Sequence, residues 1–587
     1  MKSNLRTTLT GKLIMGLLLV FLAAGCSGSL EKSRKPSEDI SRGLPLSTTA
    51  SSSLGFEVTP DGEEIRILIN EDETAARFHY YQLNQAAEIV QDVILDLDLE
   101  GFVRSPEIVS HPNGFHLVWA ARPEAGSGWL LWYANLDPEG NLRFSPQRVS
   151  GDTEWVNRYQ LVADGAGGVF VIWEDGSKDV IMAAHLDAAG ERLSSPGVLI
   201  EQGENPSARR DPGGDIHLAW MNEDTLMYAA VDALDSPLQG TPLLDLQVSM
   251  GNTLNGPVIG VTDQYVHCFW SILRRTGMEA GTAVTEFISF PVNSPDSPTP
   301  KQLNVFSSPE DRSRPYQGRL RLEEIIFPPE EDYLSTDFVF HPQTSSISGQ
   351  SLAVAVSANQ DIRLDRYIQV VMGLFEGGEY QGYTIGTRTT QYSRDAEVEI
   401  DRQGNLHLVW RDGAKGNQVY YATTSEAGKR TLNRITLADL PTVLFSGGLE
   451  ALTGVLLFPF AFPWMAVGLL IMIVYRLIEN DEDISQTLSR VLLGVSLAAY
   501  QISKLLFLPD IMLYVPFSAW LDIPIRLAPI LQVGVPILVF GLGLLAAEIR
   551  RKRMDGEPSS LVYYLLVVIV DMVLTLAIYG VIFLGEY

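Results

Sequence analysis

The sequence predicts a mainly-β propeller of seven blades followed by an all-α domain of four transmembrane helices. Three observations carry this. Short apolar strands ending in Trp recur about every fifty residues between 55 and 440. Four apolar stretches of near-membrane length occupy residues 441–587. The chain of 587 residues is 46% hydrophobic and only 19% charged, with a mean hydropathy of +0.08, where an ordinary soluble protein carries about 25% charge.

The repeat is read from GFHLVW (114–119), GVFVIW (168–173), DIHLAW (215–220), YVHCFW (265–270) and NLHLVW (405–410). Trp119, Trp173, Trp220, Trp270 and Trp410 mark its register, the first four spaced by 54, 47 and 50 residues. EIRILIN (64–70) and SLAVAVS (351–357) are weaker members, which makes seven units with a long insertion near 290–345. A count of six or eight blades also fits. Asp-Gly turns such as 164–167, 211–214 and 401–404 precede the Trp strand, and a third strand and a second turn follow it. Asp and Gly suit hairpins because they tolerate φ > 0 or cap the turn with a carboxylate. Strands covered on both faces by neighbouring sheets need to be apolar nearly throughout. The Trp then fills the wedge between blades.

Units such as DRQGNLHLVWRDG and VYYATTS (401–425) resemble the repeats of sialidase-like, BNR-type β-propellers of bacterial surface proteins. The resemblance implies the propeller fold, with a glycan hydrolase of sialidase-like type as an alternative function. It does not extend to a strict Ser-x-Asp-x-Gly-x-x-Trp box or an Arg-Ile-Pro motif, and no triad of Arg recurs across blades. No catalytic residue is assigned from it.

The N-terminus carries Lys2, Arg6 and Lys12, an apolar run over 13–24, and Leu22-Ala23-Ala24-Gly25-Cys26. This reads as a lipoprotein signal peptide over 1–26 with lipidation of Cys26. Residues 27–54, rich in Ser, Lys, Pro and Thr, read as a flexible tether. The propeller ectodomain then spans 55–440. The membrane domain spans 441–587, with helices at about 452–476, 490–508, 528–547 and 560–584, and with amphipathic segments at 441–451 and 510–526. Arg476 and Arg490 flank its first loop, and Arg550, Arg551, Lys552 and Arg553 are read as its third. Placing both in the cytoplasm follows the positive-inside rule and sets the propeller outside a bacterial cytoplasmic membrane.

A net charge of −28 excludes nucleic acid as a partner by bulk electrostatics. Two Cys exclude a disulfide framework, and Cys268, within an apolar strand, reads as a buried thiol. His116, His217, His267 and His407 share one repeat position, three residues before the Trp. Equivalent positions diverge between blades, whereas metal ligands must converge, so these are packing residues and no metal or cofactor is assigned. Asp571 lies mid-stretch in the last apolar segment, where a carboxylate is costly without a partner. Lys504 or Gln501 is expected to supply one. The partners expected are the lipid bilayer and an extracytoplasmic protein, peptide or glycan ligand. Recognition is the favoured role, with glycan hydrolysis or envelope transport and assembly as alternatives.

Overall fold

The computed structural model describes residues 39–434, apart from 307–335 and a few short loops, and helical segments between 448 and 579. The signal region and Cys26 lie outside the described residues, as do segment 510–525 and most of 441–451.

Seven four-stranded antiparallel sheets follow one another along the chain. Blade 1 spans 55–100, blade 2 102–148, blade 3 156–200, blade 4 204–245, blade 5 253–302 and blade 6 339–385. Blade 7 takes three strands from 393–423, and its fourth is Leu44–Thr48 from the start of the chain. In each blade the first strand is innermost. The inner strands of successive blades touch in order, and that of blade 7 touches that of blade 1. The sheets therefore form a closed ring, the seven-bladed propeller.

Sequence reading placed 44–48 in the tether, and this is corrected. Leu44 pairs with Tyr421 and Thr48 with Gln418, making this segment the outer strand of blade 7. Ile40 just before it is fully buried. This strand completes the four-stranded sheet of blade 7 and ties the start of the propeller segment to its last blade.

The five repeat Trp are all buried, at most 3% exposed, and occupy one register in blades 2, 3, 4, 5 and 7. Each packs into a cluster that draws strands from two adjacent blades, Trp119 for example with Phe78 of blade 1. Burying one such side chain contributes about 1.5–3 kcal/mol. Ile69 and Val356 take the same place in blades 1 and 6. The insertion is the connection 303–338 between blades 5 and 6.

Helix α1 (Glu426–Leu432) follows blade 7, capped by Ser425 Oγ on the Gly428 N–H at 3.1 Å. Among the described residues four further helices, the first counted together with the 3₁₀ turn that precedes it, are long and apolar enough to cross a membrane. They are α2 (Phe462–Ile478), α3 (Thr487–Phe507), α4 (Ala528–Arg553) and α5 (Ser560–Tyr579). Their bounds differ from the sequence reading for local reasons. Pro459 starts a 3₁₀ turn over Phe458–Ala461, so α2 begins only at Phe462. Arg550–Arg553 form the last turn of α4 rather than a loop, as suits cations at a helix C-terminus. α5 touches the other three helices. Gly468 and Gly543 permit this closeness, since a Cβ would lie 2.4 Å from Tyr564 Oη at the first and 2.8 Å from the Val567 carbonyl at the second.

Candidate functional site

The inner strands present a free backbone edge to the central channel, and polar side chains occupy it. In blades 2, 3, 4, 5, 6 and 7 the pairing of first and second strands slips near the start of the inner strand. Ser105, Asn205, Gly256, His341 and Asp395 stand at this bulge with positive φ. Pro follows in four cases, as Pro106, Pro206, Pro257 and Pro342. A bulge on an edge strand tolerates Pro because no ladder hydrogen bond needs its missing N–H. This Pro, 13 or 14 residues before the Trp register, is a repeat signal readable in the sequence beside the Trp itself.

Just past the bulge, one side chain reaches to the next blade. Glu107 accepts from the Leu161 N–H at 2.9 Å, Gln160 from Ala208 at 2.6 Å and Ser207 from Ile259 at 3.0 Å. Glu397, past the bulge of blade 7, accepts from Leu54; in blade 1, whose pairing does not slip, Glu57 accepts from the Ser110 N–H at 2.6 Å from two positions further along its strand. Each bond satisfies an edge donor that would otherwise be orphaned. Arg209 donates across the ring to the Thr344 carbonyl of blade 6 at 3.2 Å, and its charge acts on Glu107, Glu397 and Glu399. One guanidinium thus faces three carboxylates from two other blades. Burial pushes Glu107 up to about 7 and Glu397 well above the carboxylate range, the latter with help from Glu107 and Glu399.

The four repeat His are fully buried and hydrogen-bonded within their own blades. His116, His217 and His407 bond Tyr133, Tyr228 and Tyr421 at 2.7–2.8 Å, and His267 bonds Ser289 at 2.8 Å. Asp211 and Asp401 of the preceding turns lie 3.3 and 3.4 Å from the other ring nitrogen of His217 and His407. Among the described residues no group of three His, Cys, Asp or Glu could hold a metal ion. Cys268 is a buried free thiol.

Strand direction sorts the loops between two faces. The Asp-Gly turns, helix α1 and residues 39–43 lie on one face, the exit face. The bulges, residues 303–306 and 336–338, and the loops after each Trp strand lie on the opposite face.

Within the helices, Asp571 is fully buried on α5. Lys504 Nζ of α3 lies 2.7 Å from its Oδ2 and donates to Thr575 Oγ1 at 2.7 Å. Tyr500 donates to the same Oδ2 at 2.5 Å. Gln501 does not join them, and its buried Nε2 has no partner among the described residues. Tyr500 was missed from sequence, although it sits one turn from Lys504 on the same helix face.

No protein-family model matches the chain, and no curated protein matches it. Solved structures with a similar architecture include the polysaccharide lyase Uly1, with a TM-score of 0.41, 9% identity, and 63% of this chain and 88% of that one covered. A PL25 ulvan lyase gives 0.40 at 8% identity over 67% and 98% of the two chains. An α-L-arabinanase of Penicillium chrysogenum complexed with arabinobiose gives 0.35 at 11% identity over 65% and 97%. Likeness at this level says nothing of activity.

Proposed function

We propose that this chain is a membrane-anchored recognition protein whose propeller stands outside a bacterial cytoplasmic membrane and offers a ligand the face opposite its anchors. One observation carries the reading: both chain ends leave the propeller side by side on the exit face, where the Arg42 N–H donates to Asn433 Oδ1 at 2.9 Å. The lipid expected on Cys26 precedes this point and the four apolar helices follow it. Two anchors attached to one face turn the opposite face outward and hold the ligand site at high local concentration near the membrane. A glycan hydrolase is the weaker reading, because the channel carboxylates Glu107 and Glu397 are already engaged by backbone donors.

The test is labelling of intact cells with a bulky membrane-impermeant maleimide. Met278→Cys reports the outward face and Ala166→Cys the exit face; both positions are exposed, and Cys268 is buried and silent. Met278→Cys should label on intact cells, and Ala166→Cys should label fully only after detergent solubilisation. Labelling of neither before lysis, or of Ala166→Cys first, overturns the reading.

A further inference from the structure

The outward face carries a cationic aromatic patch at the junction of blades 2 and 3. Arg104 opens the inner strand of blade 2, and Arg122 ends its second strand. Both guanidiniums stack on Trp129, at 4.2 and 4.4 Å from the ring centroid. Arg122 also lies 5.2 Å from the Phe102 ring. The Val156 N–H donates to the Trp129 carbonyl at 2.9 Å, which brings Trp155 beside this group. A Cβ on Gly128 would lie 3.8 Å from Trp155 Cγ. Trp155 is 49% exposed, the one exposed Trp among the described residues.

The charge of the patch is unusual for a chain of net −28. Among the described residues neither Arg104 nor Arg122 forms an ion pair. Arg104 Nη2 spends its bonds on the carbonyls of Val156 and Asn157 at 3.2 and 3.3 Å. Arg122 Nε is buried and meets no acceptor. The acid nearest in sequence to Trp155, Glu154, is turned away to accept from Trp173 Nε1 at 3.0 Å. Burial and the neighbouring Arg122 cation lower the Arg104 pKa, as two like charges without a counter-ion must.

An anion with a flat apolar side answers both needs. The exposed indole stacks on a ring, and the guanidiniums take the carboxylate. A pyranose bearing a carboxylate unites these in one rigid unit. A flexible acidic peptide offers the charge but no ring face. We infer that the Arg104–Arg122–Trp129–Trp155 patch binds an acidic polysaccharide, with uronate carboxylates at the guanidiniums and a sugar ring on Trp155. This rests on the recognition reading above and names its ligand class.

The test is isothermal titration of the full chain in detergent with a hexa-uronate, a neutral hexaose of equal length and hexaglutamate. Hexa-uronate should bind, more weakly as salt rises, and the neutral sugar should not. Trp155→Ala and Arg122→Gln should each weaken it ten-fold or more without moving the thermal midpoint. Arg104 holds backbone carbonyls, so Arg122→Gln is the cleaner probe. Equal binding of hexaglutamate with no loss in Trp155→Ala would assign the patch to an acidic protein and overturn the proposal. So would binding unchanged in both variants, or no uronate binding at all. In the last case the recognition reading still stands if Met278→Cys labels from outside.

Discussion

The Arg42 N–H and Asn433 Oδ1 lie 2.9 Å apart across 391 residues of chain. Around that bond the chain's start enters blade 7 and its continuation leaves it. Gly43, next to Arg42, packs so tightly that a Cβ would stand 2.8 Å from Trp410 Cη2. Gly43→Ala is therefore expected to cost about 1–3 kcal/mol through overpacking at the closing strand. Gly349→Ala, with open space around it, should be neutral. Thermal unfolding followed by Trp fluorescence checks both. Equal midpoints would mean that the closing strand does not limit the ring's stability.

Glu107 supplies a second prediction, and the next blade supplies its control. Its folded pKa is pushed up to about 7 by burial. Below about pH 4.5 the group is protonated whether folded or not. Between there and pH 7 the folded protein retains a proton that the unfolded chain releases, so stability falls as pH rises through this window. Gln160 makes the same inter-blade bond at 2.6 Å without a charge. Glu107→Gln should match the parent near pH 4.5 and exceed it at pH 8 by about 1–3 kcal/mol, allowing for screening in the channel. Denaturation midpoints at the two pH values decide it. A variant less stable at pH 8 would place the carboxylate's ionised form in a favourable role.

His267 gives the opposite slope. Burial lowers its folded pKa to about 3, and Nδ1 is bonded to Ser289. The unfolded chain takes up the proton below about pH 6.5, so stability is lost as pH falls from there toward 3. Phe170 occupies the equivalent position in blade 3, which shows that the register accepts an aromatic ring with no charge. His267→Phe should flatten the loss of stability between pH 7 and pH 5, measured as the change in denaturation midpoint. An unchanged slope would assign acid sensitivity to other groups, His111 first among them, since its pKa is lowered to about 4.

These residues show what the sequence could carry. Trp119, Trp173, Trp220, Trp270 and Trp410 were legible because one packing need, a large side chain in the inter-blade wedge, selects one residue at one register. The inner bulge was not, because it constrains φ rather than identity: Ser105, Asn205, Gly256, His341 and Asp395 share a conformation and little chemistry. The closing strand Leu44–Thr48 was hidden by distance, since its partner strand lies some 370 residues away. Arg209 and its carboxylates look like scattered surface charge until ring closure gathers blades 2, 4 and 7 about one axis. The uncompensated pair Arg104 and Arg122 was hidden likewise, because a missing counter-ion is a property of space and not of sequence.

Asp571 and Lys504 are almost fully buried and share a bond of 2.7 Å, with Tyr500 and Thr575 completing the group. Removing one partner strands the other charge in a medium that cannot solvate it, at a cost of about 3–5 kcal/mol. Removing both costs less than the sum, since no charge is left unpaired. Asp571→Ala and Lys504→Ala should each lower the thermal midpoint of the detergent-solubilised protein sharply, and the double variant should recover part of the loss. Gln501→Ala, outside the group, should couple to neither. Additive losses in the double variant would mean that the two side chains stabilise the bundle separately and that Asp571 draws its support from Tyr500 instead.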